Sequence, residues 1–117
     1  MHKSILFLLM LFSVSAPLFA GTTPPAEVVK AFQLKFPDAT HVRWEKENAT
    51  EYEATFTWNG ADASANFKAD GTWLETETGM TYNALPEAVR KAFEKDHAVH
   101  AGKVSKIEKP GNVYEYE

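Results

Sequence analysis

Serines, histidines, carboxylates and tryptophans are the side chains of this sequence whose types and spacing could carry chemistry. A nucleophilic serine needs a neighbouring base and an oxyanion hole. Ser64 lies in Ala-Ser-Ala and Ser105 in Val-Ser-Lys, neither of them in a Gly-x-Ser-x-Gly elbow. Both read as packing or surface positions of plain strands. His97-x-x-His100, with His41 as a third imidazole, is the only candidate for a metal. Zinc needs three or four ligands in tight geometry, and no Cys or His-Glu-x-x-His pattern completes the set. Histidines near a helix C-terminus also suit the helix dipole without a metal. They therefore read as capping or surface groups.

The carboxylates Glu45, Glu47, Glu51, Glu53, Glu75 and Glu77 alternate with aromatic residues, which points them at water. General acid-base work would need a buried, spaced pair. A solvated sheet face, offset by Arg43 and Lys68, is the reading the pattern favours. No Asp-x-Asp-x-Asp calcium loop appears, and the glycines after the leader stand singly at turns, so no phosphate-cradling loop exists either. The residues thus indicate no catalytic group, no metal site and no cofactor, and the chain reads as non-enzymatic. Tryptophan is the remaining candidate, because interface hot spots favour Trp, Tyr and Arg. Trp44 and Trp58 share strand parity with Val42 and Phe56 and belong to the core. Trp73 and Leu74 are adjacent in one strand and must face opposite sides. With Trp73 on the wetter side, Arg43, Glu53, Thr55 and Trp73 form a patch for a protein partner; the alternative packs Trp73 inside and turns Leu74 out.

The elements that must position these residues follow from hydrophobic periodicity. Val28, Phe32 and Phe36 recur at helical spacing over Ala26 to Phe36, with Thr23 as the expected N-cap and Pro37-Asp38 as the stop. From His41 the period changes to two. Val42 and Trp44, then Tyr52, Ala54, Phe56 and Trp58, then Ala61, Ala63, Ala65 and Phe67 mark the dry sides of strands. Asn59-Gly60 and Asp70-Gly71 supply the turn chemistry of tight hairpins, and Thr72 to Glu75 opens a fourth strand. Asn83-Ala84-Leu85-Pro86 announces a second helix carrying Val89, Ala92 and Phe93. Lys103 to Lys109 and Asn112 to Glu117 are two further strands about Pro110-Gly111.

Pro25-Ala-Glu-Val-Val-Lys-Ala-Phe32 returns as Pro86-Glu-Ala-Val-Arg-Lys-Ala-Phe93, and Tyr52-Glu53 as Tyr114-Glu115, each roughly 60 residues later. The spacing predicts a duplicated unit, the first over 24–77 and a partial second over 81–117. The fold class expected is therefore α+β, with a helix on an antiparallel meander and an incomplete second repeat of a helix plus two strands.

The whole sequence has 117 residues, a formal net charge of −4 and no cysteine. One domain fits that length. An acidic balance disfavours a grip on nucleic acid, and the missing thiols exclude a disulfide framework. Met1-His2-Lys3, the apolar run Ile5 to Phe12 and the small residues up to Ala20-Gly21 read as a signal peptide over 1–20, leaving 21–117 as one exported domain with no membrane span. The expected location is the periplasm or the medium.

Phe36-Pro37-Asp38-Ala39, Val42-Arg43-Trp44-Glu45, Tyr52-Glu53-Ala54, Phe67-Lys68-Ala69-Asp70-Gly71-Thr72-Trp73-Leu74-Glu75 and Leu85-Pro86-Glu87-Ala88-Val89 together resemble the PepSY-like proteins. These are small exported bacterial proteins related in fold to the β-lactamase inhibitor protein. The second unit departs from the pattern, with His97-Ala98 in place of Phe36-Pro37 and no final hairpin. The resemblance implies a helix on one face of an antiparallel sheet, with the other face open and often concave. It implies a binding module that engages a protein partner in the cell envelope through that open face and restrains a hydrolase. The alternative role is structural, with the incomplete second repeat completed by a like chain in a homo-oligomer.

Overall fold

Alternating apolar and polar residues, broken by turn signals every eight residues or so, build a meander. A computed structural model of the chain describes residues 22–96 and 103–117; the signal peptide expected over 1–20 and the His97/His100 pair lie outside them. Helix α1 (Ala26–Lys35) is followed by β1 (Thr40–Lys46), β2 (Glu51–Trp58), β3 (Ala61–Lys68) and β4 (Trp73–Thr81). A single 3-10 turn (Tyr82–Ala84), helix α2 (Glu87–Asp96), β5 (Lys103–Lys109) and β6 (Val113–Tyr116) complete the order. All six strands form one antiparallel sheet in sequential order.

Helix α1 starts differently from the expectation. Thr23 is exposed and caps nothing; the Pro25 carbonyl instead accepts from the backbone N–H groups of Val28 and Val29, at 3.0 and 3.2 Å. Two prolines with fixed φ and no N–H leave fewer donors at the helix start needing a partner, which removes the need for a side-chain cap. Phe36 closes the helix through its N–H to the Phe32 carbonyl, and Pro37 cannot continue it.

The core lies between α1 and the sheet. Val28, Phe32 and Phe36 from the helix meet Ala54 and Phe56 of β2 and Ala63, Ala65 and Phe67 of β3, all buried. Small alanines under large phenylalanines let the helix approach the sheet closely. Phe32 sits edge-on to Trp44, Phe56 and Phe67, with ring centroids 5.2, 5.0 and 6.3 Å away, a geometry aromatic quadrupoles favour. In α2, Val89 and Phe93 are half-buried, Ala92 is exposed, and Leu85 just before the helix is buried.

Turn chemistry fixes the register. Asn59 and Gly60 both adopt positive φ between β2 and β3, as a type I′ hairpin requires. Gly71 is obligatory for a second reason besides its φ of +90°: a Cβ there would lie 2.8 Å from the Glu27 carbonyl oxygen of α1. Two bulges interrupt the ladders. One falls between Thr40 and Arg43, where His41 takes a φ of 55°, and it leaves Val42, expected in the core, 37% exposed. The other falls between Asn66 and Phe67, which pair with Glu75 and Trp73.

Candidate functional site

Strand parity assigns each residue to the face against α1 or to the far face. Ala54 pairs with Trp44 and Ala65 on the α1 side, so Glu53 and Thr55 project from the far side. Two rows of directly opposed residues cross that far face. One runs Glu45, Glu53, Asn66, Glu75 over β1 to β4. The next runs Arg43, Thr55, Ser64, Glu77, Ile107, Glu115 over all six strands. An open depression of about 690 Å³ is lined by Thr55, Ser64 and Glu77 of the second row together with Gly79, Ser105 and Lys103.

Three of the four patch residues read from the sequence, Arg43, Glu53 and Thr55, share this far face. Trp73 does not. It pairs with Phe67 and packs against the core on the α1 side, its indole N–H donating to Thr76 Oγ1 at 2.9 Å. The Lys35 ammonium of α1 stands 3.6 Å above its ring centroid. The β4 bulge is the physical reason: Leu74 is the extra residue between paired Glu75 and Trp73, which returns the tryptophan to the dry side. The patch on the far face is therefore built without Trp73.

Its distinguishing group is Glu53. Read from the sequence as a solvated carboxylate, it is only 8% exposed, and its Oε1 is buried with no hydrogen-bond partner. Burial first, then the charge of Glu47, a hydrogen bond to the Glu47 side chain and the charges of Glu45 and Glu77 raise its pKa from an ordinary 4.5 to about 8. At neutral pH Glu53 therefore keeps its proton. Glu75 is also raised, by burial above all and against the pull of Lys109, and burial likewise raises Glu117. Lys109 binds Glu115 at 3.1 Å. Ionising Glu53 would set two like charges directly opposite one another, at Glu45 and Glu53, which weakens a sheet. A carboxyl on a face merely exposed to water would have no reason to hold its proton.

Sequence reasoning grouped Glu45, Glu47, Glu75 and Glu77 with Glu53 as a solvated sheet face and missed the contacts that bury and crowd Glu53. The signal that could have found them is the β1–β2 register. Asn48 organises the connection, accepting from the Thr50 N–H at 2.9 Å and donating to Glu51 Oε2 at 2.7 Å, while the Glu47 N–H donates to the Glu51 carbonyl. That closure sets Glu45 opposite Glu53. Ser64 and Ser105 occupy ordinary ladder positions, opposite Thr55 and Gly79. Among the described residues no group of three or more His, Asp or Glu has the geometry to hold a metal, and no helix is long and apolar enough to cross a membrane.

Two helices with a six-stranded antiparallel sheet define a fold that solved structures share. A BLIP-like protein from Bacteroides fragilis is 30% identical, with a TM-score of 0.72 over 82% of this chain and 71% of its own. A DUF2874 family protein from Bacteroides ovatus is 27% identical, with a TM-score of 0.73 over 82% and 70%. A Bacteroides eggerthii protein described as periplasmic shares the fold at 24% identity, with a TM-score of 0.72 over 81% and 70%. No curated protein matches the sequence. Residues 50–117 match the family described as "Putative beta-lactamase-inhibitor-like, PepSY-like". The chain belongs to that PepSY-like family.

Proposed function

We propose that this protein is an exported, non-enzymatic binding module that holds a protein partner against the far face of its sheet and thereby restrains a hydrolase. The observation that carries the reading is Glu53, a buried carboxyl set among Glu45, Glu47 and Glu77 on the sheet face away from α1. Folding alone gains nothing from crowding acids there, and strongly perturbed acids cluster at functional surfaces. The open depression lined by Thr55, Ser64 and Glu77 of the neighbouring row gives a loop room to approach. The inhibitor-like family and the BLIP-like neighbour agree with a binding role. The leader-like N-terminus and the neighbour described as periplasmic agree with the cell envelope as its location.

Site-specific photo-crosslinking in the native cell tests this. A benzophenone amino acid at Ser64, on the far face, is expected to give a discrete adduct with another protein; the same group at the exposed Gln33 of α1 is not. No adduct at Ser64, or equal adducts from both positions, overturns the reading.

A further inference from the structure

We propose that the side chains of Glu53 and Glu47 form a proton-bridged clasp that holds the end of edge strand β1 on the sheet at neutral pH and lets it go in mildly alkaline solution. β1 lies at the edge of the sheet and pairs with β2 alone. The bulge between Thr40 and Arg43 already breaks its ladder, so regular pairing is confined to Arg43 through Lys46. Beyond that end the chain is tied down twice at Glu47. Its N–H donates to the Glu51 carbonyl at 2.9 Å, and its side chain shares a hydrogen bond with Glu53. Two ionised carboxylates only accept and repel each other, so the second tie exists only while one of them carries a proton. Glu53 is buried and Glu47 half-buried, which leaves the proton on Glu53.

No cationic residue stands opposite Glu53 to replace that proton. Glu45 faces it from β1 and Asn66 from β3, while Glu75 and Glu77 project from β4 on the same face. The cations Arg43 and Lys68 stand in the neighbouring rows, opposite Thr55 and Glu51. The Oε1 of Glu53 is enclosed and accepts no hydrogen bond, so an ionised Glu53 gains water only by opening its surroundings. β1, with a single neighbouring strand, is the element that gives way most readily. The clasped carboxyl is held at about 8 against an ordinary 4.5, and release of β1 returns it toward the ordinary value. Opening therefore gains as pH rises through this interval and levels off above about 8.

Hydrogen exchange of the isotopically labelled protein between pH 6 and pH 9, with each rate divided by its intrinsic value, tests the clasp. Opening read at the Glu47 amide and at the β1 amides bonded to β2 should rise by at least about fivefold from pH 6 to pH 8 and then level off. In dilute urea these amides should exchange at an unchanged rate while those of β3 speed up, which marks a local release. Glu53→Gln, whose amide donates to the Glu47 carboxylate at every pH, should remove the pH dependence. Glu47→Gln, judged folded from its amide spectrum, should shrink it, because the new N–H can donate to an ionised Glu53. If Glu47→Gln does not fold, the Glu53→Gln profile and the urea comparison decide by themselves. A flat profile in the unsubstituted protein, β1 amides that follow urea as β3 does, or a rise that survives undiminished in either folded variant overturns the proposal.

Discussion

Replacing Glu53 by Gln should stabilise the protein in alkaline solution and leave it unchanged in acid. Folding raises the carboxyl's pKa from 4.5 to about 8. Between those values the unfolded chain has released the proton while the folded chain keeps it, so unfolding becomes easier as pH rises. For one fully shielded group the slope is about 1.4 kcal/mol per pH unit, which sets a ceiling of about 5 kcal/mol across the interval. Part of the effect is repulsion from Glu47, Glu45 and Glu77 across a face that water and salt reach, and screening lowers the expected difference to about 2 kcal/mol. The substituted glutamine mimics the protonated side chain at every pH. The two proteins should therefore match near pH 4.5, with the variant ahead by about 2 kcal/mol at pH 9, or roughly 10 °C in melting temperature for a domain of this size. Urea titration followed by tryptophan fluorescence is suitable, since Trp44, Trp58 and Trp73 all pack against the core. Glu75 and Glu117 have raised values and Asp70 a lowered one, but these are common to both proteins and cancel in the difference. A difference that does not change with pH, or a variant less stable at pH 9, would refute the account of Glu53.

Gly71→Ala should destabilise by about 2 kcal/mol, because it combines a strained positive φ with a methyl forced against the Glu27 carbonyl; an unchanged urea midpoint would show that the turn relaxes freely. Trp73→Ala should cost about 2–3 kcal/mol through lost packing and the loss of the Lys35 and Thr76 contacts. The folded Trp73 variant should still give the Ser64 crosslink at wild-type yield, and its disappearance would return Trp73 to the binding face.

The helix, the meander and the two Gly-containing turns were legible because each is written in local periods and punctuation. Val28, Phe32 and Phe36 at helical spacing, and Tyr52 to Trp58 at a spacing of two, mark their buried sides without knowledge of any neighbour. Arg43, Glu53 and Thr55 were found on one face for the same reason, since parity holds wherever the ladder is regular. Thr23 and Val42 were misread where the chain leaves regular geometry, at a proline-led helix start and at a bulge.

What the sequence determined by itself was the alternation, and with it which residues could ever share a face. What only the tertiary structure decided was where the alternation breaks and which strands come to lie opposite one another. A single inserted residue at Leu74 moves Trp73 to the core side. The pairing of β1 with β2 sets Glu45 against Glu53, and burial then withholds the water that would have ionised it. Parity is a property of one strand, whereas desolvation and repulsion arise between strands, so the buried acid became visible only when the sheet was assembled.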